Sequence, residues 1–355
     1  MLSMANAATD RRAQNFKRFF EEAGWNVELI APATKVKRGP RRFFEYHRKL
    51  KQMVASRSVD VVLPCELFSL SAARWMKRKR RVKLLIYDAR EVYTELPDVA
   101  RKPIAKWTWR WLERRGLTTT DLVLATGPRD IQTICDIHHF LPRPILVRNL
   151  PWKMSEIQRD RSLLIPYGIP TDAKVLVYLG GLQEGRGLHL LLSVVPFLPK
   201  DIHVLLIGDG ILRSKLEHLA FELGLKPIVH FAGALPSEVA IRLVAACDVG
   251  ISLIEPISRS YELALPSKLF EYMMCGIPVV SSRLEQVVDL FEKEEWITFT
   301  QVSDPNSIRQ GIEHAIVNEQ NSTFRDRERS LALSEYHFEH DAAMLLTIMD
   351  KLLPS

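Results

Sequence analysis

The feature that most restricts how this chain can fold is an alternation of ten short apolar runs, rich in Val, Ile and Leu, with segments of helical spacing. Five of them, VELIAP (27–32), VDVVLP (59–64), KLLIYD (83–88), DLVLAT (121–126) and ILVRN (145–149), form a first block. Five more, KVLVYLGG (174–181), HVLLIGDG (203–210), IVHFAG (228–233), VGISLI (249–254) and IPVVSS (277–282), form a second. Continuous apolar strands joined by helices make parallel sheets covered on both faces. Between the blocks the pattern pauses in a polar stretch holding Pro166 and Pro170. A chain of 355 residues also exceeds one ordinary core. The expected architecture is α/β, with two doubly wound domains, and ligands of such sheets bind at the carboxyl ends of the strands. We expect the first domain over residues 1–155 and the second over 165–333. Residues 334–355 read as one amphipathic terminal helix. The first strand looks abbreviated, because a helix starts near Asp10, and MLSMANA is what the sequence offers for it.

Charge separates the two halves. Residues 1–150 carry 30 Lys and Arg against 15 Asp and Glu, whereas 151–355 carry 19 against 27. Basic runs at 35–51 and 74–83 are interleaved with large apolar residues. Such a surface suits anionic lipid headgroups or a phosphorylated acceptor, and equally a solvated helical face. No recognised binding motif accompanies the charge, so nucleic acid is not an expected partner. Cys65, Cys135, Cys247 and Cys275 stand far apart, which suggests neither a disulfide framework nor a zinc site. No apolar run approaches bilayer length, and the N-terminus lacks a signal-peptide pattern. The expected location is cytoplasmic, or peripheral at the inner face of the membrane.

Three segments carry candidate chemistry. In the first, a strand ending at Tyr178 runs into Gly180, Gly181, Glu184, Gly185, Arg186 and Gly187 and then into a helix. Glycines and a helix N-terminus let backbone N–H groups approach an anion, and Arg186 is placed to clamp a diphosphate. A purely structural turn gives the same glycines. Gly208-Asp209-Gly210 repeats the device one unit later, as close ligand access or as a turn. The third segment, YELALPSKLFEYMMCGIPVVS (261–281), leads through Pro266 and Ser267 into a helix bearing Lys268, Leu269 and Glu271. A carboxylate one turn inside a helix mouth can accept ribose hydroxyls while the lysine faces phosphate, and a cap and a solvated lysine are the bland alternatives.

The strings GGLQEGRG, IGDG, HFAGALP, CDVGISLI and PSKLFEYMMCGIPVV resemble, in order and spacing, the large retaining GT-B glycosyltransferase family that uses nucleotide-sugars, glycosyltransferase family four. The resemblance is strong over residues 174–282. It is looser at Asp10-Arg11-Arg12, at Tyr87-Asp88-Ala89-Arg90-Glu91 and at Val147-Arg148-Asn149. It implies a GT-B architecture, two Rossmann-like doubly wound domains facing across a cleft, with the terminal helix returning to the first domain. It further implies that Glu271 holds the donor ribose, that Arg186 binds the diphosphate with help from Lys268, and that Gly180, Gly181, Gly208, Gly210, Ser267 and Leu269 line the donor. Ala234 and Leu235 would border the nucleobase. Arg11 and Arg90 fall on the acceptor side.

Such a reading makes the chain a glycosyltransferase with no cofactor, independent of metal, whose partners are a nucleotide-sugar donor and a glycan or lipid-linked acceptor. Arg186 and Lys268 would stabilise the leaving diphosphate, which itself helps to take the acceptor proton. If the enzyme supplies a base, Asp88 or Glu91 is the candidate. Three positions depart from the family pattern. Leu263 stands eight residues before Glu271, where relatives have an acid, Gly181 replaces a basic residue, and Arg90 replaces a histidine. An arginine can clamp an anion but cannot act as a base. The competing expectations are a nucleotide-sugar epimerase on the same fold and a catalytically inactive nucleotide-sugar-binding subunit.

Overall fold

The computed structural model describes residues 1–4, 10–35, 40–139, 143–319 and 322–353. It divides into two compact units, Met1–Asn149 with Ser258–Ser260 and Phe338–Ser355, and Leu150–Ile257 with Tyr261–His337. Each is a Rossmann-like α/β unit built on a parallel sheet.

In the first unit α1 (Arg11–Glu22), α2 (Pro40–Val54), β1 (Val59–Val62), α3 (Leu67–Arg78), β2 (Val82–Ala89), α4 (Pro97–Ala100), α5 (Pro103–Leu117), β3 (Leu122–Ala125), α6 (Pro128–Ile137) and β4 (Ile145–Leu146) follow one another. The sheet order is β1-β2-β3-β4, all parallel. The strand expected at 27–32 is not formed; only Ile30 pairs, through a single parallel bridge to Leu2, which also bridges Pro64. The backbone of residues 1–3 lies between the two neighbours, with Ser3 N–H donating to Ile30 O at 3.0 Å and Leu2 N–H to Leu63 O at 3.0 Å. A strand can extend no further than its partner, and this partner offers three residues before leaving the sheet. Residues 5–7 of MLSMANA lie outside the described residues.

The second unit runs β5 (Lys174–Leu179), α7 (Leu188–Val194), β6 (Ile202–Ile207), α8 (Arg213–Glu222), β7 (Val229–Gly233), α9 (Ser237–Ala245), β8 (Val249–Ser252), α10 (Arg259–Glu262), α11 (Ser267–Cys275), β9 (Val279–Ser282), α12 (Glu285–Phe291), β10 (Ile297–Thr300), α13 (Pro305–Glu319) and α14 (Ser322–Glu335), α10 straddling the division; α15 (Phe338–Leu352) follows. Its six strands lie in the order β10-β9-β8-β5-β6-β7, all parallel. The order reverses at the β5/β8 pair, the switch point at which open α/β sheets leave room for a ligand. Pairing there is short, Leu176 with Val249 and Val177 with Gly250, after which the strands part. The Tyr272 hydroxyl from α11 occupies the gap. It accepts from Leu179 N–H at 3.0 Å and lies 3.2 Å from both Val177 O and Ile251 O. Gly250 lets the ring in, because a Cβ there would overlap it.

Residues 150–170 are fastened to the second unit. Arg159 and Arg161 grip the two oxygens of buried Asp248, at 2.6 and 2.8 Å. Helix α15 belongs to the first unit: Phe338 packs edge-on against Phe16, ring centroids 5.0 Å apart, and Asp341 takes Arg148 Nη2 at 2.6 Å.

Candidate functional site

At the switch point of the second unit, β5 ends in Tyr178 and Leu179 and the chain turns through Gly180. Tyr178 is buried among aliphatic residues and its hydroxyl donates to Gly181 O at 2.8 Å. Over its ring stands Lys268 Nζ, 3.6 Å from the centroid. Lys268 reaches this place because α11 starts at Ser267, directly after Pro266, so its first turn opens beside the end of β5. The side chain is 7% exposed and its ammonium touches Gly180 so closely that a Cβ there would stand 3.4 Å from Nζ. A cation held against a ring face in a dry setting gains about 2 kcal/mol and stays aimed in one direction.

Arg186 lies in the loop between β5 and α7. Its guanidinium lies 5.1 Å above the ring of Tyr261, whose hydroxyl lies 3.4 Å from Glu184 O. Gly185 makes this stacking possible, since a side chain there would overlap Tyr261 and Ile257. Burial pushes the Tyr178 phenol well above its usual range, and the nearby positive charge of Arg186 partly opposes that. Lys268 and Arg186, 82 positions apart in the chain, thus each rest on a tyrosine ring, Lys268 on Tyr178 and Arg186 on Tyr261. Glu271, one turn along α11, is 3% exposed. Tyr178, Tyr261 and Tyr272 are organisers that the sequence reading missed; a lone tyrosine inside an aliphatic strand was the available signal for Tyr178.

Gly208 follows β6 with φ +142°, and a Cβ on it would collide with the carbonyl of Gly180. Gly210 meets the carbonyl of Leu182 in the same way. Leu182 N–H donates to Asp209 O at 3.0 Å, and the two glycine loops pack backbone to backbone. These glycines therefore have a structural requirement whatever else they border. Gly181 is exposed, Ser267 and Leu235 are half-buried, Leu269 is buried and Ala234 is exposed at the end of β7. Leu263 is 1% exposed, and its backbone carbonyl accepts from the Gln286 side chain. It is a core residue and offers a ligand nothing polar. Glu255, also unforeseen, accepts Gly187 N–H at 3.2 Å at the start of α7.

The first unit gathers a second cluster at the end of β2. Asp88 is fully buried and takes Arg12 Nη2 at 2.6 Å, Arg12 Nε at 2.9 Å and Arg90 Nε at 3.0 Å. Arg90 Nη1 in turn lies 2.9 Å from both oxygens of Asp10, which also receives the Ser3 hydroxyl at 2.8 Å. Burial raises the Asp88 carboxyl, but Arg12 and Arg90 outweigh it and hold the group below the ordinary carboxylate range. A carboxylate so held is a weak proton acceptor; its geometry is that of an anchor for two arginines. Arg11 faces outward on α1, and its neighbour Arg12 enters the cluster instead. Glu91 is exposed just beyond β2.

Residues 173–318 match the family described as Glycosyl transferases group 1. The lipopolysaccharide core biosynthesis glycosyltransferase LpsE of Rhizobium meliloti is 30% identical over 200 residues, covering 56% of this chain and 55% of that protein. The chain spans about half the length of the curated relatives it matches. Among solved structures, sucrose-phosphate synthase from Thermosynechococcus elongatus superposes with a TM-score of 0.77 at 16% identity, covering 99% of this chain and 94% of that one. Anabaena HepE in complex with UDP gives 0.71 at 17% identity, covering 99% and 91%. Such likeness over nearly the whole length establishes a common fold. Residues 173–318 thus match the Glycosyl transferases group 1 family model, within a chain that has the fold of the GT-B glycosyltransferases.

Proposed function

We propose that this protein transfers a sugar from a nucleotide-sugar to a hydroxyl of a glycan or lipid-linked acceptor, with retention at the anomeric carbon and without a metal ion. The observation that carries the reading is the seat of Lys268 on the Tyr178 ring at the end of β5, with Arg186 stacked on Tyr261 in the glycine loop that follows that strand. Breaking the bond between anomeric carbon and diphosphate oxygen leaves positive charge on the sugar and negative charge on the leaving group. Two fixed cations there lower the barrier, each by about 3 kcal/mol where water is excluded. Their geometry costs no reorganisation, because the Tyr178 and Tyr261 rings already hold them. Glu271 accepts the ribose hydroxyls, and the acceptor's proton passes to the departing diphosphate. The buried cluster of Arg12, Asp88 and Arg90 orders the end of β2 in the unit that takes the acceptor.

HepE, a protein of the same fold, has been solved with UDP and with UDP-glucose, which supports a nucleotide-sugar as the donor class. Calorimetric titration with UDP-, GDP- and ADP-sugars in chelator tests the reading, followed by turnover against a panel of acceptors. Binding of one nucleotide class, lost in Arg186→Ala and Glu271→Ala, supports it; no binding of any class contradicts it. The buried, apolar Leu263 favours a second reading, a donor-binding subunit without turnover. Tight binding with no transfer to any acceptor would select that one.

A further inference from the structure

We infer that α5 is a docking helix for an anionic membrane surface, inserting Ile104, Trp107 and Trp111 into the interface between headgroups and acyl chains. Helix α5 is apolar on two opposite sides. Its inner side is accounted for. Trp109 packs edge-on against Phe68 at 5.2 Å and Phe43 at 6.1 Å, and Gly116 lies against Leu70 of α3. Its outer side is not: Ile104 is 83% exposed, Trp107 67% and Trp111 44%. Spaced at i, i+3 and i+7, these three form one stripe along the helix.

The charges that α5 itself exposes beside that stripe have one sign. Arg110, Arg114 and Arg115 are exposed beside it, and the Arg115 guanidinium lies 5.0 Å from the centre of the Trp111 ring. The one acid within α5, Glu113, points inward, where it takes the Tyr87 hydroxyl at 2.9 Å and lies 3.0 Å from His138 Nε2. A second copy of the chain laid on this face would bring like charges together. An anionic bilayer answers both features, because tryptophan settles at the headgroup level and flanking arginines meet the lipid charge. The basic runs of α2 and α3 are poorer candidates: Lys51 and Arg81 are turned onto the Trp75 ring, and Lys77 and Lys83 pair with Asp121 and Asp60. Exposed Phe44 on α2, next to the Phe43 that packs against Trp109, adds apolar surface near α5.

The inference stands on the first unit alone and is independent of the donor reading. Its test is cosedimentation of the full chain, without any sugar donor, with vesicles of phosphatidylcholine and of phosphatidylcholine mixed with phosphatidylglycerol. We expect binding to the mixed vesicles only. The partition coefficient should fall about tenfold or more in Trp107→Ser/Trp111→Ser and about fivefold for each of Arg110→Gln and Arg114→Gln. Circular dichroism checks that the variants remain folded, and bilayer-embedded quenchers should dim wild-type tryptophan fluorescence more than that of the double variant. Equal binding by wild type and double variant would overturn the inference. So would absence of vesicle binding, or a dimer in sedimentation that the double variant dissolves.

Discussion

Lys268 stands over the face of Tyr178, its ammonium 3.6 Å from the ring centre, at the point where β5 and β8 part. The negative face of the ring attracts an ammonium group, and the more so in a setting nearly sealed from solvent. Lys268→Met, which keeps length and apolar volume, should lower kcat/KM about a hundredfold or more while costing no more than about 2 kcal/mol of stability, read as a small fall in the thermal midpoint. Steady-state kinetics and differential scanning fluorimetry check both halves.

The two loop glycines at the switch point should respond in opposite ways. Gly208→Ala places a Cβ against the Gly180 carbonyl at a φ of +142° and should cost about 2 kcal/mol or more, read by chemical denaturation. Gly181 is exposed, and a Cβ there meets only the flexible Gln183 side chain, at 3.2 Å. Gly181→Lys should fold normally and tighten nucleoside diphosphate binding about fivefold by adding a cation beside Lys268 and Arg186.

The Arg148–Asp341 pair ties α15 to the end of the first sheet, with three hydrogen bonds from Arg148 to one carboxylate. Burial raises the Asp341 carboxyl, yet the bonds and charge of Arg148 bring it below its usual 3.8. A depressed carboxylate contributes stability above its unfolded value and loses it as pH falls through its folded one. Asp341→Asn should therefore cost about 3 kcal/mol at neutral pH, and the gap to wild type should close below pH 3.8. Urea unfolding across that range reads it.

Glu328 on α14 has the opposite sign. It is 2% exposed, neither oxygen has a hydrogen-bond partner among the described residues, and burial pushes its carboxyl well above the usual 4.5. The unfolded chain ionises it first, so stability falls as pH rises from 4.5 toward the folded value. Glu328→Gln should remove that loss, gaining about 1.4 kcal/mol on wild type for each pH unit in that window. Thermal midpoints measured in buffers from pH 5 upward test the slope.

The strands of the second unit were legible because each is a continuous apolar run that a two-sided parallel sheet buries whole, as β5 and β8 do. The start of α11 was legible from Pro266 and the turn before it. What the sequence hid was register. In PIAKWTWRWLERRGL the tryptophans at 107 and 111 fall on one side of the helix and that at 109 on the other, so periodicity cannot say which side faces the core. The choice between Arg11 and Arg12 has the same cause: only the packing of α1 turns Arg12 inward to Asp88. Strand 27–32 was misread because its length depends on a distant partner, residues 1–3, and not on its own apolar content. The seat of Lys268 needs Tyr178, ninety positions earlier, and no local pattern joins the two.

The most direct measurement is calorimetric titration of the wild type, Lys268→Met and Arg186→Ala with UDP-, GDP- and ADP-sugars and the corresponding diphosphates in chelator. The account predicts that one nucleotide class binds without metal, that its diphosphate binds at the same site, and that each substitution weakens both at least about tenfold. Undiminished binding in both variants would show that the cations held on Tyr178 and Tyr261 do not hold the donor's diphosphate, and would contradict the account at its centre.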